Sequence, residues 1–156
     1  MNALINIGIV LVTFCLMECV TWLTHKYIMH GWLGWHLHED HHNKSHSFFE
    51  KNDYFFVIFA FISMSFYFTG TFIADFGFMF YIGIGISLYG FAYFMVHDIL
   101  IHQRFKLFSR TNNVYFRALR KAHKVHHKHL GKDEGECFGM LFVPLKYFRE
   151  ARRSAK

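Results

Sequence analysis

The amino-acid sequence predicts an all-α integral membrane protein, with about three transmembrane helices and a cytoplasmic helical cap that carries histidine boxes. Two observations lead to this prediction. The chain of 156 residues is 53% hydrophobic with a single proline, and its Lys and Arg residues all lie outside three long apolar runs. Its length favours a single membrane-embedded domain, residues 1–156.

The three apolar runs cover residues 3–23, 54–74 and 76–96. An α-helix needs about 20 apolar residues to cross the hydrocarbon core of a bilayer, so each run is long enough. Buried core helices of a soluble protein are the alternative, but three such runs in one short chain favour a membrane protein. The first run lacks the basic segment and the cleavage site of a signal peptide.

The basic residues predict the orientation of the chain. All 17 Lys and Arg residues follow the first run or the third, and most lie in the basic tail, residues 98–156. By the positive-inside rule both basic segments are cytoplasmic, which places the N-terminus outside, most simply in a bacterial cytoplasmic membrane. We attribute the net charge of +6 to a surface that faces lipid headgroups and expect no nucleic-acid partner, because no nucleic-acid-binding module is present.

Ten of the 13 histidines form four clusters in which an H-x4-H pair is twice followed by an H-x-x-H-H triplet. Positions i, i+3 and i+4 of a helix share one face, so each triplet offers three imidazoles to one side. Two membrane crossings separate the halves, and all four clusters therefore return to the same side. The ten predicted metal ligands are His25, His30, His38, His41, His42, His97, His102, His123, His126 and His127.

The H-x4-H pairs are harder to place on a regular helix. Residues five apart lie about 140° apart around an ideal α-helix, so each pair requires a fraying helix end, a bulge or two separate metal ions. Gly31, directly after His30, marks such an end. We interpret His36, His46 and His129 as surface or supporting histidines outside the pattern.

Ten imidazoles without a nearby thiolate suit two metal ions with about five ligands each. Structural zinc prefers four ligands and often thiolates, whereas iron accepts nitrogen ligands at higher coordination and can bind dioxygen. Four carboxylates could support the ligands: Glu18, Glu39, Asp40 and Asp98. Glu18, inside the first run, either accepts a hydrogen bond from a histidine or ties two helices together, and the other three are alternatively solvated surface groups.

The segments that contain these boxes resemble the non-haem beta-carotene hydroxylases of bacteria and plants, within the fatty acid hydroxylase and sterol desaturase superfamily. The resemblance extends from Glu18 to Pro144 and includes the motifs V-H-D-x-x-x-H-Q-R and F-G-x-x-x-x-P. The resemblance implies a centre of two iron ions, for which zinc could substitute, with dioxygen as co-substrate. It also implies hydroxylation at C3 of the β-ionone rings, from beta-carotene through cryptoxanthin to zeaxanthin.

The sequence contains no flavin, nucleotide or iron–sulfur motif of its own, so we expect a soluble carrier to supply the electrons. The resemblance implies that this carrier is a ferredoxin. A dense basic run interleaves with the fourth box and would attract an acidic carrier. It consists of Arg117, Arg120, Lys121, Lys124 and Lys128. The alternative role of this run is contact with lipid headgroups.

Three other functions fit parts of the pattern. A carotenoid ketolase or a lipid hydroxylase would differ only in substrate or product. A haem protein of cytochrome b type would place its histidines in the middle of facing spans, whereas these lie at span ends. A non-catalytic metal-binding membrane protein would bind metal without oxygen-dependent turnover.

The charge distribution makes a topology prediction. A reporter fused after Lys156 should show a cytoplasmic location, and a reporter placed before Met1 or inserted at Asp75 should show an external one, because only the two basic segments are retained inside. Paired phosphatase and fluorescent-protein fusions measure both locations. A periplasmic C-terminus would contradict the three-span topology.

Overall fold

The computed structural model describes residues 2–43, 48–108 and 110–154, and in these residues it contains helices and no strands. The sequence-based prediction of an all-α fold is therefore confirmed. In chain order the helices are α1 (Ala3–Leu23), π1 (Thr24–Met29), α2 (Trp35–His42), α3 (Asp53–Phe72), α4 (Phe78–Phe94), π2 (Met95–Ile101), α5 (Val114–His126) and α6 (Leu145–Arg153).

Within the described part of the chain, three helices are long and apolar enough to cross a membrane, as predicted: Ala3–Met29, Asp53–Phe72 and Phe78–Ile101. The first and third are longer than the predicted runs because α1 and α4 each continue directly into a π-helix. The histidines at residues 25 and 97 therefore belong to the long helices, and the third of these helices extends to Ile101. Many large apolar side chains on these helices are exposed, as expected of surfaces that contact lipid.

The central helix of this bundle is α4, which packs against both α1 and α3. Glycines allow these close approaches. A Cβ atom on Gly85 would lie 2.6 Å from Cβ of Thr13 on α1, and a Cβ atom on Gly70 of α3 would lie 2.3 Å from the backbone nitrogen of Phe80 on α4. Small residues at helix contacts are typical of membrane bundles, where close packing takes over from hydrophobic burial.

The turn between α3 and α4 is short, which makes these two helices an antiparallel pair. It contains Asp75 in the left-handed backbone region, with φ of 67°. As a consequence, α1 and α4 run in the same direction. Their π-helical ends, and the histidines these ends carry, lie at the same end of the bundle.

The helices α5 and α6 form the cap. Asn113 begins α5 by accepting hydrogen bonds from the backbone N–H groups of Tyr115 and Phe116. Fully buried alanines of α5, Ala118 and Ala122, pack against Tyr147 of α6. One face of α5 is thus occupied by α6, and its histidine face is left to meet the ends of the long helices.

Candidate metal centre

The ten box histidines meet at the end of the bundle where the two π-helices lie. Nine of them form two groups, in each of which one nitrogen from every residue lies within 4.8 Å of the others. Each group draws on both halves of the chain, so the halves assemble one centre. The first group is His25, His30, His38, His42 and His126, and the second is His41, His97, His102 and His123.

The tenth box histidine, His127, lies between the two groups. Its Nε2 atom is 2.8 Å from Nε2 of His123 in the second group. Its ring stacks on that of His42 in the first group, with centroids 4.4 Å apart and an interplanar angle of 23°. His127 is therefore positioned to complete the second group to five imidazoles.

The π-helices explain the H-x4-H spacing. In π1 the backbone N–H of His30 donates to the carbonyl oxygen of His25 over 3.0 Å, and in π2 that of His102 donates to His97 over 2.8 Å. These i to i+5 hydrogen bonds widen the helical turn, so residues five apart come to lie on one side. The ring centroids are 5.1 Å apart in the first pair and 4.5 Å in the second. Of the arrangements that the spacing allowed, a local bulge of the helix is the one present.

Three histidines of the first group are held by the loop that follows α5. Each donates a hydrogen bond from Nδ1 to a backbone carbonyl oxygen of that loop. The pairs are His25 with Phe138 at 2.9 Å, His30 with Leu130 at 2.9 Å, and His126 with Glu136 at 3.1 Å. Because a carbonyl oxygen can only accept, Nδ1 carries the proton in all three rings, and each Nε2 atom presents a lone pair to the centre.

Two further histidines are held by side chains that lie just before or at the start of α3. Nδ1 of His38 donates to Oδ1 of Asn52 over 2.7 Å, and Nδ1 of His41 donates to Oε2 of Glu50 over 2.8 Å. The sequence alone indicated no role for Asn52 or Glu50. Their position, as polar residues directly before a membrane span on the histidine side, is the signal that could have identified them.

Because Nδ1 carries the proton in these rings, their unprotonated Nε2 atoms face one another in the centre. Nε2 of His25 and Nε2 of His38 are 3.1 Å apart, and those of His30 and His126 are 3.2 Å apart. Two lone pairs at this distance repel unless a cation lies between them. Two nitrogens that bind one ion at about 2.1 Å each are themselves about 3.0–3.4 Å apart, so the residues fit a metal ion.

A proton would be a poor substitute for that metal ion. Burial, and to a smaller extent the neighbouring imidazoles, lower the pKa of His126 to about 2 and that of His127 to about 3. Burial also lowers the pKa of His38 to about 2, although its hydrogen bond to Asn52 opposes the shift. The rings are therefore neutral at physiological pH, which is the form that binds metal.

Charged residues surround the second group. Nη2 of Arg104 lies 3.2 Å from Oε2 of Glu50 and 2.9 Å from Oδ1 of Asp53, and its Nε lies 3.1 Å from Oδ1 of Asp98. This network compensates the charge of Glu50, which accepts from His41. Asp98, predicted to support a ligand, has Oδ2 at 3.5 Å from Nδ1 of His97, so its shorter contact is with Arg104.

Glu18 takes the structural role of the two that the sequence allowed. Its Oε1 accepts hydrogen bonds from three successive backbone N–H groups, those of Met140, Leu141 and Phe142, over 2.9–3.0 Å. Its Oε2 accepts from the hydroxyl of Tyr89 on α4 over 2.6 Å. Glu18 therefore ties α1 and α4 to the loop whose carbonyl groups hold three histidines, and its influence on the centre is indirect.

Two predicted supporting carboxylates lie away from the histidine nitrogens. Oδ2 of Asp40 accepts from the backbone N–H of Lys51 over 2.7 Å. Glu39 is exposed, because it follows His38 by one position and lies about 100° around α2. These contacts favour the surface role that the sequence left open for both residues, and a supporting role for either stays a prediction.

The histidines outside the boxes differ in position. His36 is exposed, and α2 begins at Trp35, so His36 lies about 200° around the helix from His38. His129 is half-buried after the end of α5. His46 lies outside the described residues.

The basic run of α5 is partly engaged within the protein. Arg117 donates to the carbonyl oxygen of Ser154, and Nε of Arg120 donates to that of Leu100 over 2.8 Å. Lys121 pairs with Glu150 at 2.7 Å. Lys124 and Lys128 are exposed, as is the paired Lys121, and the expectation that the run attracts an acidic carrier stays a prediction.

The fold and the centre together define a histidine-box membrane protein. The chain belongs to the fatty acid hydroxylase family, whose model matches residues 10–148. It is 39% identical to a beta-carotene hydroxylase of Pseudescherichia vulneris, over 90% of this chain and 78% of the relative. It is 41% identical to a beta-carotene hydroxylase of Pantoea ananas, over 89% of this chain and 78% of the relative.

A plant relative also matches. The chain is 41% identical to a chloroplastic beta-carotene 3-hydroxylase of an Oncidium hybrid cultivar, over 81% of this chain and 41% of the relative. No solved structure matches the chain.

The geometry separates candidate ligands from bystanders. Replacing any of the ten box histidines by Ala should reduce metal content and lower hydroxylation by about 100-fold or more, because a lost imidazole opens the coordination of its ion. His36→Ala, His46→Ala and His129→Ala should retain most activity. Metal analysis and product analysis of each purified variant measure both effects.

The activities of His36→Ala and His38→Ala provide the most informative comparison among these variants. Loss of activity in His36→Ala with retention in His38→Ala would assign the second box to His36. Equal tolerance at all ten box positions would exclude the metal centre.

Proposed function

We propose that this protein hydroxylates beta-carotene at C3 of its β-ionone rings, giving cryptoxanthin and then zeaxanthin, at a centre of two iron ions. The observation that carries the proposal is the pairs of unprotonated Nε2 atoms that face one another at 3.1 and 3.2 Å. The names of the bacterial and plant relatives support the substrate, and the Oncidium relative's name includes the 3 position.

The ten box histidines would hold the two ions, about five to each ion. When bound, iron supplies the redox chemistry that activates dioxygen for insertion into an unactivated C–H bond. In the balanced reaction, one oxygen atom becomes the hydroxyl group and the other leaves as water, with the uptake of two electrons and two protons. Zinc would bind the same imidazoles without this chemistry.

The protein's own contribution is the fixed direction of its imidazoles and the exclusion of water. Seven of the ten box histidines are buried, and acceptors on the loop after α5 and before α3 hold five Nδ1 atoms in place. Rings held in this way need no reorganisation when an ion binds. A saturated ring carbon offers no polar group for recognition, so the position of the ring relative to the centre selects C3.

The electron donor and the orientation belong to the same proposal. A reduced ferredoxin would dock on the face that exposes Lys124 and Lys128, close to the fourth box. The histidine boxes and the C-terminus would face the cytoplasm, with the N-terminus outside, in a bacterial cytoplasmic membrane. The chain would act as the single membrane-embedded domain that its sequence predicts.

Product and metal together test the proposed reaction. Expression in a host that makes beta-carotene should yield cryptoxanthin and zeaxanthin, measured by chromatography of extracted pigments, and His25→Ala in the same host should yield neither. The purified iron-loaded protein should contain two metal ions and turn over, whereas the zinc-loaded protein should be inert because zinc has no redox chemistry. Keto-carotenoid products, or full activity without iron, would contradict the proposal.

Salt dependence tests the docking of the electron donor. Turnover with reduced ferredoxin should slow as ionic strength rises from about 0.05 to 0.3 M, because screening weakens the attraction between opposite charges. Lys124→Glu should lower the rate by several-fold at low salt. The matched control is Lys106→Glu, an equal charge change at an exposed residue between π2 and α5. Salt-independent rates, or equal effects of the two variants, would contradict docking at Lys124.

A further inference from the structure

An apolar groove of about 580 Å³ lies against the histidine centre, among the helices α1, α3 and α4. Its floor is formed by α4, which packs against the other two helices and contributes Gly90 and Tyr93. Met17 of α1 lines one side, and Phe56 and Val57 of α3 line the other. The volume is within the range of about 300–1,000 Å³ that is usual for small-molecule sites.

The inner end of the groove reaches the second histidine group. His97 is the one box histidine in its lining, and all ten box histidines are among the described residues. The ring of Tyr93 stacks on that of His97, with centroids 4.8 Å apart and an interplanar angle of 25°. The two histidine groups are thus unequal, because only the second is open to a ligand in the groove.

The outer part of the groove faces the membrane. Phe56 is 52% exposed and Val57 is 44% exposed, and both lie on α3 within a helix that is able to span a bilayer. An apolar molecule dissolved in the bilayer can therefore approach between α1 and α3 without passing through water.

The charged residues in the lining of the groove pair with one another. Arg104 pairs with Asp53 and Asp98, and Asn52 accepts from His38. A ligand in the groove therefore meets mainly aliphatic and aromatic surface. This composition suits a hydrocarbon ring and conflicts with a charged or strongly polar ligand.

We propose that this groove binds one terminal ring of beta-carotene, with the adjoining polyene extending between α1 and α3 into the bilayer. The proposal rests on the proposed function for the identity of its ligand. In this arrangement the walls of the groove set the position of the carotenoid ring, and the ring that reacts lies beside His97. The arrangement also makes Gly90 a specificity-determining residue, because the missing side chain keeps the floor of the groove open.

The space at Gly90 allows a direct test. A Cβ atom there would have Phe56 as its nearest neighbour, at 4.0 Å, so a larger side chain would extend into the groove without meeting backbone. Gly8 on α1 provides a matched control, since a Cβ atom there has no neighbour within 4 Å and Gly8 is not in the lining of the groove.

The experiment measures beta-carotene binding by the iron-loaded protein in lipid nanodiscs, without reductant, and then hydroxylation on adding the electron donor. Gly90→Leu should weaken binding by about tenfold or more, because the ring loses buried apolar surface, and should lower conversion to match. Gly8→Leu should bind like the wild type. Metal content should be unchanged in both variants.

A second pair of variants covers failure of Gly90→Leu to fold. Val57→Trp narrows the groove from α3 and should weaken binding, whereas Ile58→Trp, at the neighbouring exposed position outside the lining, should not. Equal binding by wild type, Gly90→Leu and Val57→Trp would overturn the proposal and leave the groove to a lipid acyl chain. Equal loss in Gly8→Leu and Ile58→Trp would also overturn it.

The same data distinguish this inference from the proposed function. A wild-type protein that hydroxylates beta-carotene while the groove variants behave normally would overturn the groove alone. A wild-type protein that binds beta-carotene in a Gly90-dependent manner but forms no hydroxylated product would overturn the proposed function and support the groove.

Discussion

In five of the box histidines, the hydrogen bond that Nδ1 donates fixes the direction in which Nε2 of the same ring points. Three acceptors are backbone carbonyl groups of the loop after α5, and two are the side chains of Asn52 and Glu50. These acceptors come from segments that are far apart in sequence, so the centre exists only when the cap, α3 and the ends of the long helices are assembled. Neutral imidazoles fixed in this way repel one another until a cation joins them, and metal binding should therefore stabilise the whole fold.

The two π-helices also direct imidazoles toward the centre, through the local geometry of the backbone. A regular α-helix would turn His30 away from His25 and His102 away from His97. One widened turn at the end of α1 and one at the end of α4 bring the two histidines of each pair to the same side without an inserted loop. Because π-helical turns are less favourable than α-helical ones, we attribute their presence to the centre rather than to the helix-forming tendency of these segments.

The sequence was sufficient to predict the helices that could cross a membrane and the meeting of the histidine clusters at one end of them. Both predictions rest on local properties of the chain, the length of its apolar runs and the helical spacing of its histidines. The sequence could not predict which acceptors hold the rings. Phe138 and Glu136 act through their backbone carbonyl oxygens, which every residue has, and so leave no mark on side-chain type. Glu18 was ambiguous for a related reason: a buried carboxylate requires partners, but its partners are three backbone N–H groups of a distant loop.

The position of α4 connects substrate selection to the histidine centre. Its close contact with α1 at Gly85 fixes the wall that carries Gly90 and Tyr93, and the same helix continues into π2 and carries His97. A shift of α4 would move the wall and the histidine together. Since a hydrocarbon ring has no polar group to bind, rigid walls must set its position, and the absence of a side chain at Gly85 keeps α4 close enough to α1 to make one wall rigid.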